Sequence, residues 1–241
     1  MKNRAAALLL SVFLPIFLLV PPWAVQAASP LDECAAHPNI PVNVTPRFDE
    51  PAYDHTRDIP AIQAMAAGIS HGIHESLTLG LTRYEPVIGV SIPVKGIKLP
   101  SGLICAHADS VDITVGYKDV TVYIAREVAD GSCGYVEIMA HEQKHIAVNR
   151  QILEAYLPRV QDAIADYVRA HGTFREETEE YAMGQLRQGV QALIAEQMAQ
   201  LEADNHALQQ RVDTPEEYKR ITYACNGELA HLTLYQLNGG R

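Results

Sequence analysis

The sequence predicts an α+β protein in which a small antiparallel sheet packs on a helix with an HExxH pattern, followed by a long antiparallel helical hairpin. Two observations support this fold class. Short runs of alternating apolar and polar residues, typical of strands, fill residues 83–128. From residue 134 to residue 224, apolar residues recur instead at the spacing of helices. We therefore expect one domain, residues 58–241, with a β-rich front and a helical remainder.

The first 27 residues have the composition of a secretory signal peptide. Lys2 and Arg4 precede an apolar run over residues 5–20, and small residues lead up to Ala27. Such a segment is removed on export. An uncleaved membrane anchor is the alternative, although the run is barely long enough to cross a bilayer. We expect a periplasmic or extracellular protein that does not contact the membrane after cleavage.

The mature chain is expected to be acidic. Removing residues 1–27 takes away two of the 19 basic residues and none of the 29 acidic ones, so the formal net charge becomes 17 − 29 = −12. An acidic surface argues against nucleic acid or anionic lipid as the main partner. It says little about the substrate.

Residues 28–57 are rich in proline and lack periodicity, which predicts an extended N-terminal arm. A helix is expected from Ile59 to Ser76, because apolar residues recur there at helical spacing. Short strands of an antiparallel sheet follow, with a turn over residues 116–119 before the last of them. The expected strands are Val87 to Val94, Gly96 to Leu99, Val111 to Tyr117 and Asp119 to Val128.

Three helices are expected in the remainder of the chain. The first runs from about residue 134 to Arg169, with Pro158 as a possible kink, and ends before Gly172. The second spans residues 176–211, and the short loop before it predicts that the two are antiparallel neighbours. A third, short helix is expected to begin with Thr214 as its N-cap and to end near residue 223.

Four cysteines remain after cleavage of the signal peptide, and an even number in an oxidising compartment predicts two disulfide bonds. Their wide spacing argues against a structural zinc cluster. Three pairings are possible. We expect Cys105 with Cys133, and Cys34 with Cys225.

The segment His141-Glu142-Gln143-Lys144-His145 is the chemically most informative part of the chain. Residues four apart lie on one face of a helix, so both imidazoles can reach one zinc ion while Glu142 lies beside it as a general base. The flanking residues are mostly apolar, and histidines in a buried helix need partners or a metal. The alternative is a pair of ordinary histidines hydrogen-bonded to their neighbours.

The strands before the motif and the helix that carries it resemble the core of the zincin class of zinc peptidases. The wider plan resembles bacterial proteins described as predicted secreted zinc-dependent proteases. The resemblance implies that His141 and His145 bind zinc, that Glu142 activates water, and that a strand near residues 120–126 pairs with an extended peptide substrate. The third histidine and the glycine of metzincins are absent after His145, which excludes that subclass.

A catalytic zinc site needs a third protein ligand, and several residues are candidates. If the hairpin turns near residue 173, His145 lies level with Glu202 and His141 lies level with His206. His206 is our first choice, with Glu202 and Glu216 as alternatives. Further candidates are Asp213 and Glu217, although Glu217 already has a place in the cap of the third helix.

The predicted function is a secreted zinc-dependent hydrolase, specifically a peptidase that acts on a peptide or protein substrate. An electrophilic helper is also expected, and Tyr218, Tyr223 and His231 are available for that role. A non-catalytic periplasmic binding or scaffold protein with a structural or vestigial metal site is the alternative. Zinc capture for transport ranks last, because the chain has no histidine-rich or acidic tract.

Overall fold

A computed structural model describes Cys34, residues 39–67 and residues 77–237. The predicted signal peptide, residues 1–27, lies outside the described residues. Within the described part of the chain, no helix is both long and apolar enough to cross a membrane. Two disulfide bonds, a feature of proteins in oxidising compartments, are also present.

Within these described residues the fold contains two small sheets and four helices, with the long helices after most of the strands. The strands are β1 (Val42–Phe48), β2 (Ala52–Asp54), β3 (Gly80–Ser91), β4 (Val94–Lys98), β5 (Ile104–Ala108), β6 (Val111–Ile124) and β7 (Thr173–Glu176). The helices are α1 (Ile59–Ala67), α2 (Cys133–His171), α3 (Glu179–Val212) and α4 (Pro215–Leu237). The predicted mixture of sheet and helix is confirmed, but the sheet arrangement differs from the prediction.

The first sheet is mixed, with β6 in its interior. β1 and β2 pair with successive parts of β6 in parallel, whereas β3 pairs with it in the antiparallel direction. The N-terminal arm thus supplies two strands, which its proline content concealed. Because β6 has strands on both sides, residues 120–124 cannot add an extended substrate to the sheet. The prediction of a substrate-binding strand there is wrong, since it mistook an interior strand for an edge.

β6 also runs unbroken through the predicted turn at residues 116–119. Gly116 has a φ of 150°, and a Cβ atom there would lie 1.8 Å from the carbonyl oxygen of Arg47 on β1. Asp119 has a positive φ of 52°, beside a shift in register between Arg83 and Glu85 of β3. Gly116 therefore marks a close approach of β1 and β6, and Asp119 lies at an irregularity in the pairing with β3. Neither residue belongs to a chain reversal.

The second sheet has the order β4-β5-β7 and is antiparallel. β7 lies in the connection between α2 and α3, where the sequence predicted only a short loop. It lengthens the connection and moves the centre of the hairpin. As a result His145 contacts Gln209 and not Glu202, a displacement of 209 − 202 = 7 residues. Seven residues are about two helical turns, so the predicted face of α3 is correct and the predicted height is wrong.

Two apolar clusters hold the elements together. The larger lies between the first sheet and the α2–α3 hairpin, and it contains Ile164 and Ile194, both fully buried. The smaller lies around the first part of α2 and joins α1, β6 and α4 through residues such as Ile62 and Ile138. The helix that carries the motif is therefore packed on several sides.

The predicted disulfide pairing is wrong. Cys34 pairs with Cys105, and Cys133 pairs with Cys225. Cys105 lies opposite Arg175 of β7, beyond the C-terminal end of α2, whereas Cys133 is the first residue of that helix. The 39 residues of α2 span roughly 57 Å, so Cys105 and Cys133 belong to opposite ends of the molecule.

The predicted third helix is the first part of α4. The main-chain N–H of Glu217 donates to the hydroxyl oxygen of Thr214, as expected of an N-cap. After residue 223 the helix breaks over residues 224–227, where Cys225 and Asn226 have positive φ values of 56° and 57°. A further helical segment then follows. The Cys133–Cys225 bond joins this break to the start of α2.

Candidate metal centre

The HExxH segment lies in the first part of α2, between β3 and the start of α4. Ser132 caps the helix, since its hydroxyl oxygen accepts from the main-chain N–H of Tyr135. His141 and Glu142 are buried, and the side chain of His145 is only 13% exposed. Helical spacing puts the two imidazoles on one face, where their rings lie 4.8 Å apart between centroids.

Asp213 completes a group of three side chains around one point. The Nε2 atoms of His141 and His145 lie 3.2 Å apart. The Oδ1 atom of Asp213 lies 3.2 Å from each of them. Within the part of the chain that the structure describes, this is the group of His, Cys, Asp or Glu side chains suited to hold a metal ion.

The spacing of these atoms fits a tetrahedral metal site. Zinc binds histidine nitrogen and carboxylate oxygen at about 2.0–2.2 Å, which places neighbouring tetrahedral ligands about 3.3–3.5 Å apart. The three observed separations of 3.2 Å are close to that range. Two nitrogens and one oxygen are also a common donor set for catalytic zinc. The residues present therefore fit a zinc ion.

The second ring nitrogen of His141, Nδ1, points away from the three converging atoms and toward another carboxylate. Its Nδ1 atom is buried without a hydrogen-bond partner, and the nearest carboxylate oxygen, from Glu217, lies 3.6 Å away. Glu217 also accepts from Lys144 and Arg220, which explains the charged residue inside the motif. Hydrogen bonding to Arg220 and then to Lys144 lowers the pKa of Glu217 to about 2. A carboxylate thus faces the side of His141 away from Asp213.

The charges of the group favour a cation at its centre. Burial lowers the pKa of His145, but the hydrogen bond and charge of Asp213, the charge of Glu142 and the hydrogen bond with Gln209 raise it to about 9. Burial raises the pKa of the Asp213 carboxyl, but hydrogen bonds from the two histidines hold it well below its usual range. A proton and a divalent cation would compete for the same nitrogen, because a metal binds only the neutral imidazole.

Glu142 lies beside this group and is almost completely buried, at 3% exposure. The Thr82 hydroxyl of β3 donates to its Oε2 atom at 2.8 Å. A Cβ atom at Gly80 would lie 2.6 Å from its Oε1 atom, so the absence of a side chain there makes room for the carboxylate. Burial raises the pKa of Glu142 above its ordinary value, although the two histidines oppose the shift. A raised pKa suits a group that accepts a proton near neutral pH.

The ligands ranked first from the sequence lie elsewhere. His206 is exposed and pairs with Gln210 on the same helix. The Glu202 carboxylate accepts from the Tyr117 hydroxyl at 3.3 Å, and Glu216 is exposed. The two positions on α3 were predicted from a turn near residue 173, and the displacement of about two turns removes them from the site. Asp213, one of the further candidates, takes the place expected of His206.

Of the three candidate helpers, one lies at the site. The Tyr218 hydroxyl donates to Asp213 Oδ1 at 3.0 Å, and its ring lies 5.9 Å from that of His141 between centroids. Tyr223 is 67% exposed, and His231 is exposed as well. Burial, followed by the charge of Asp213, raises the pKa of Tyr218 above its ordinary value. Tyr218 therefore carries its proton at neutral pH and can donate it in a hydrogen bond.

Three contributing residues had no signal in the sequence. Gly80 and Thr82 belong to a strand about 60 positions before the motif, and nothing in their surroundings indicates a contact with Glu142. Gln209 is one of several glutamines on an amphipathic helix. For Asp213 a weak signal existed, because it directly precedes the cap of a helix that was expected to return to the motif.

No protein-family model, curated protein or solved structure matches this chain. The resemblance to zincins consequently depends on the motif and its surroundings alone.

Proposed function

We propose that this protein is a secreted zinc-dependent hydrolase, and specifically a peptidase. The observation that carries the proposal is the convergence of His141, His145 and Asp213 at 3.2 Å separations, with Glu142 buried next to them. Three protein ligands leave one tetrahedral position for the reacting molecule, as in catalytic zinc sites. The side chain of Asp213 is 31% exposed, which is consistent with access from solvent.

A zinc ion bound by these three residues would supply Lewis acidity, which polarises a carbonyl group and acidifies water. Glu142 is the general base in this proposal. Its buried carboxylate takes a proton from the attacking water and passes it to the leaving amine. Thr82 fixes the carboxylate by donating to Oε2 at 2.8 Å, and Gly80 leaves the space in which it lies.

Tyr218 is the proposed electrophilic helper. It retains its proton and lies against Asp213, so its hydroxyl is close to the position where negative charge develops on a carbonyl oxygen. Donation to that oxygen would require the hydroxyl to leave Asp213 when substrate binds. The Cys133–Cys225 bond ties α4 to the start of α2, so in this proposal the side chain of Tyr218 moves and the helix does not.

An extended peptide is the substrate class that the sheet supports best. Among the described residues β3 pairs only with β6, so its other edge has main-chain groups available for an added strand. The same strand supplies Thr82 next to Glu142. A peptide paired with this part of β3 would pass the general base.

The test combines a metal assay with a substitution of the general base. We expect one zinc ion per purified chain and hydrolysis of an unfolded protein such as casein. Glu142→Gln should keep zinc and lower the hydrolytic rate by about 10²–10⁴-fold, because general base catalysis contributes a factor of that size. Gln143→Glu, at the neighbouring exposed position, is the control and should remain active.

Two results would reject the proposal. One is a purified wild-type chain that binds no zinc, and the other is full hydrolytic activity in Glu142→Gln. If zinc is bound but no peptide or ester is cleaved, the non-catalytic alternative with a structural metal is favoured. A water ligand detected by X-ray absorption spectroscopy would then distinguish an open site from one closed by a fourth side chain.

A further inference from the structure

A buried polar network joins the candidate metal centre to the α2–α3 hairpin. It consists of Asn149 on α2, Asn205 and Gln209 on α3, and Tyr84 on β3. Asn149 and Asn205 are 0% and 1% exposed, the lowest values among the buried polar residues. The Nδ2 atom of Asn205 donates both to Asn149 Oδ1 and to the Tyr84 hydroxyl, at 2.9 Å each. Apolar side chains at such positions often give equal or greater stability, so the presence of this network indicates a role other than stability.

The network determines the orientation of the Gln209 amide. Its Nε2 atom lies 3.2 Å from the main-chain carbonyl oxygen of His145 and 2.9 Å from Asn149 Oδ1. A carbonyl oxygen can only accept a hydrogen bond, so the end of the amide that faces it must be the NH2 group. The other end, which faces the imidazole of His145, is therefore the oxygen.

That orientation in turn determines which nitrogen of His145 carries hydrogen. Gln209 Oε1 lies 2.5 Å from His145 Nδ1. Because the amide oxygen has no hydrogen to donate, Nδ1 must be the donor. The neutral imidazole then has its lone pair on Nε2, the atom that lies 3.2 Å from both His141 Nε2 and Asp213 Oδ1.

We propose that Gln209 is a positioning residue, which holds His145 in the tautomer and ring orientation needed to bind a metal through Nε2. Asn149 and Asn205 hold Gln209 in place, and Tyr84 connects them to the sheet. The effect on zinc binding rests on the proposed function, whereas the effect on the His145 tautomer does not. Residues in this position beside a metal ligand are known to govern its orientation and basicity.

The test compares Gln209→Met with Gln210→Met. Methionine is similar in length to glutamine but has neither the oxygen acceptor nor the N–H donors. Gln210 is the adjacent residue, is exposed, and contacts His206 instead of the motif. We expect zinc to bind about 10- to 100-fold more weakly to Gln209→Met in competition with a chromophoric chelator. Gln210→Met should bind zinc like the wild type.

A partial-rescue variant separates positioning from packing. Gln209→Glu keeps an oxygen acceptor for His145 Nδ1–H but loses the N–H groups that donate to the His145 carbonyl oxygen and to Asn149. It should therefore bind zinc more tightly than Gln209→Met and more weakly than the wild type. Long-range ¹H–¹⁵N NMR of the metal-free protein, at alkaline pH where His145 is neutral, reads the tautomer directly. The wild type and Gln209→Glu should carry the proton on Nδ1, and Gln209→Met should show a mixture of tautomers.

Wild-type zinc affinity in Gln209→Met would overturn the proposal. So would a wild-type His145 with its proton on Nε2, a result that decides the matter even if Gln209→Met does not fold. If no variant binds zinc, the proposed function fails. The NMR comparison then still supports the positioning role if the Nδ1 tautomer is found in the wild type and lost in Gln209→Met.

Discussion

The two halves of α2 differ in what they bury, although they belong to one continuous helix. Residues 133–149 bury His141, Glu142 and Asn149 among apolar residues such as Ile138 and Ile146. Residues 150–171 bury an apolar stripe at helical spacing, consisting of Ile152, Leu153, Tyr156, Val160, Ile164 and Val168. A disulfide bond lies near each end, Cys133–Cys225 at the beginning and Cys34–Cys105 beside β7, the strand that follows the helix. A disulfide bond therefore lies beside both interiors, one of which mixes polar with apolar residues while the other is apolar.

This contrast indicates where polar burial lowers the stability of the folded chain. Burying a polar group costs free energy unless every hydrogen bond is restored, and a buried ionisable group costs more. In the first half, His141 Nδ1 and Asn149 Nδ2 are buried without hydrogen-bond partners. The second half gains free energy from apolar burial throughout. We infer that the first half serves the candidate site and that the second half supports it.

The largest effect is expected from Asp213→Ala. The substitution removes one of three converging atoms and leaves two histidines, which alone form a weak site, so zinc binding should be lost. Zinc content after dialysis, measured by atomic absorption, checks the result. His206→Ala and Glu216→Ala are matched controls from the same region and should both retain zinc. Loss of zinc from His206→Ala with retention in Asp213→Ala would show that the displaced hairpin register is wrong.

The next largest effect is expected from Ile164→Ala, in the second half of α2. Ile164 is fully buried in the larger cluster, so the substitution should lower the free energy of unfolding by about 2–5 kcal/mol. Urea denaturation measures this change. Zinc affinity of the folded variant should equal that of the wild type, since residue 164 is roughly 28 Å along the helix from His145. A clear fall in zinc affinity would contradict the division of α2 into two halves.

The sequence predicted the helices and the HExxH segment better than the way in which the elements pack together. Periodicity predicted the helices and parts of three of the seven described strands, β3, β4 and β6, because each pattern reflects local geometry and burial on one face. It missed β1, β2, β5 and β7. The two histidines of the HExxH segment and Glu142 were recognisable because they lie within about one helical turn. The strand pairing, the disulfide connectivity and the place of Asp213 depend on contacts distant in sequence. β7, a strand of only four residues in an expected loop, was sufficient to move the hairpin register by two turns.

Glu202→Gln should have the smallest effect and should be stabilising. Burial raises the pKa of Glu202, and the hydrogen bond from Tyr117 opposes the shift only in part. A raised pKa in the folded state means that the folded state binds the proton more tightly than the unfolded state. The stability linked to this group is thus fully present at pH values below its unfolded pKa, near 4.5, and is lost as the pH rises through the folded value.

Glutamine at residue 202 does not ionise, so the loss of stability with rising pH disappears. Its amide oxygen can still accept a hydrogen bond from the Tyr117 hydroxyl. The gain in the free energy of unfolding should be below about 1 kcal/mol at pH 7.5 and should disappear at pH 4. Urea denaturation at the two pH values measures it, and zinc content should stay at the wild-type level. Loss of zinc would instead indicate that Glu202 contributes to the metal site. Destabilisation at pH 7.5 would indicate that the charged carboxylate is needed, and that the polar part of the hairpin interior extends beyond Asn149 and Asn205.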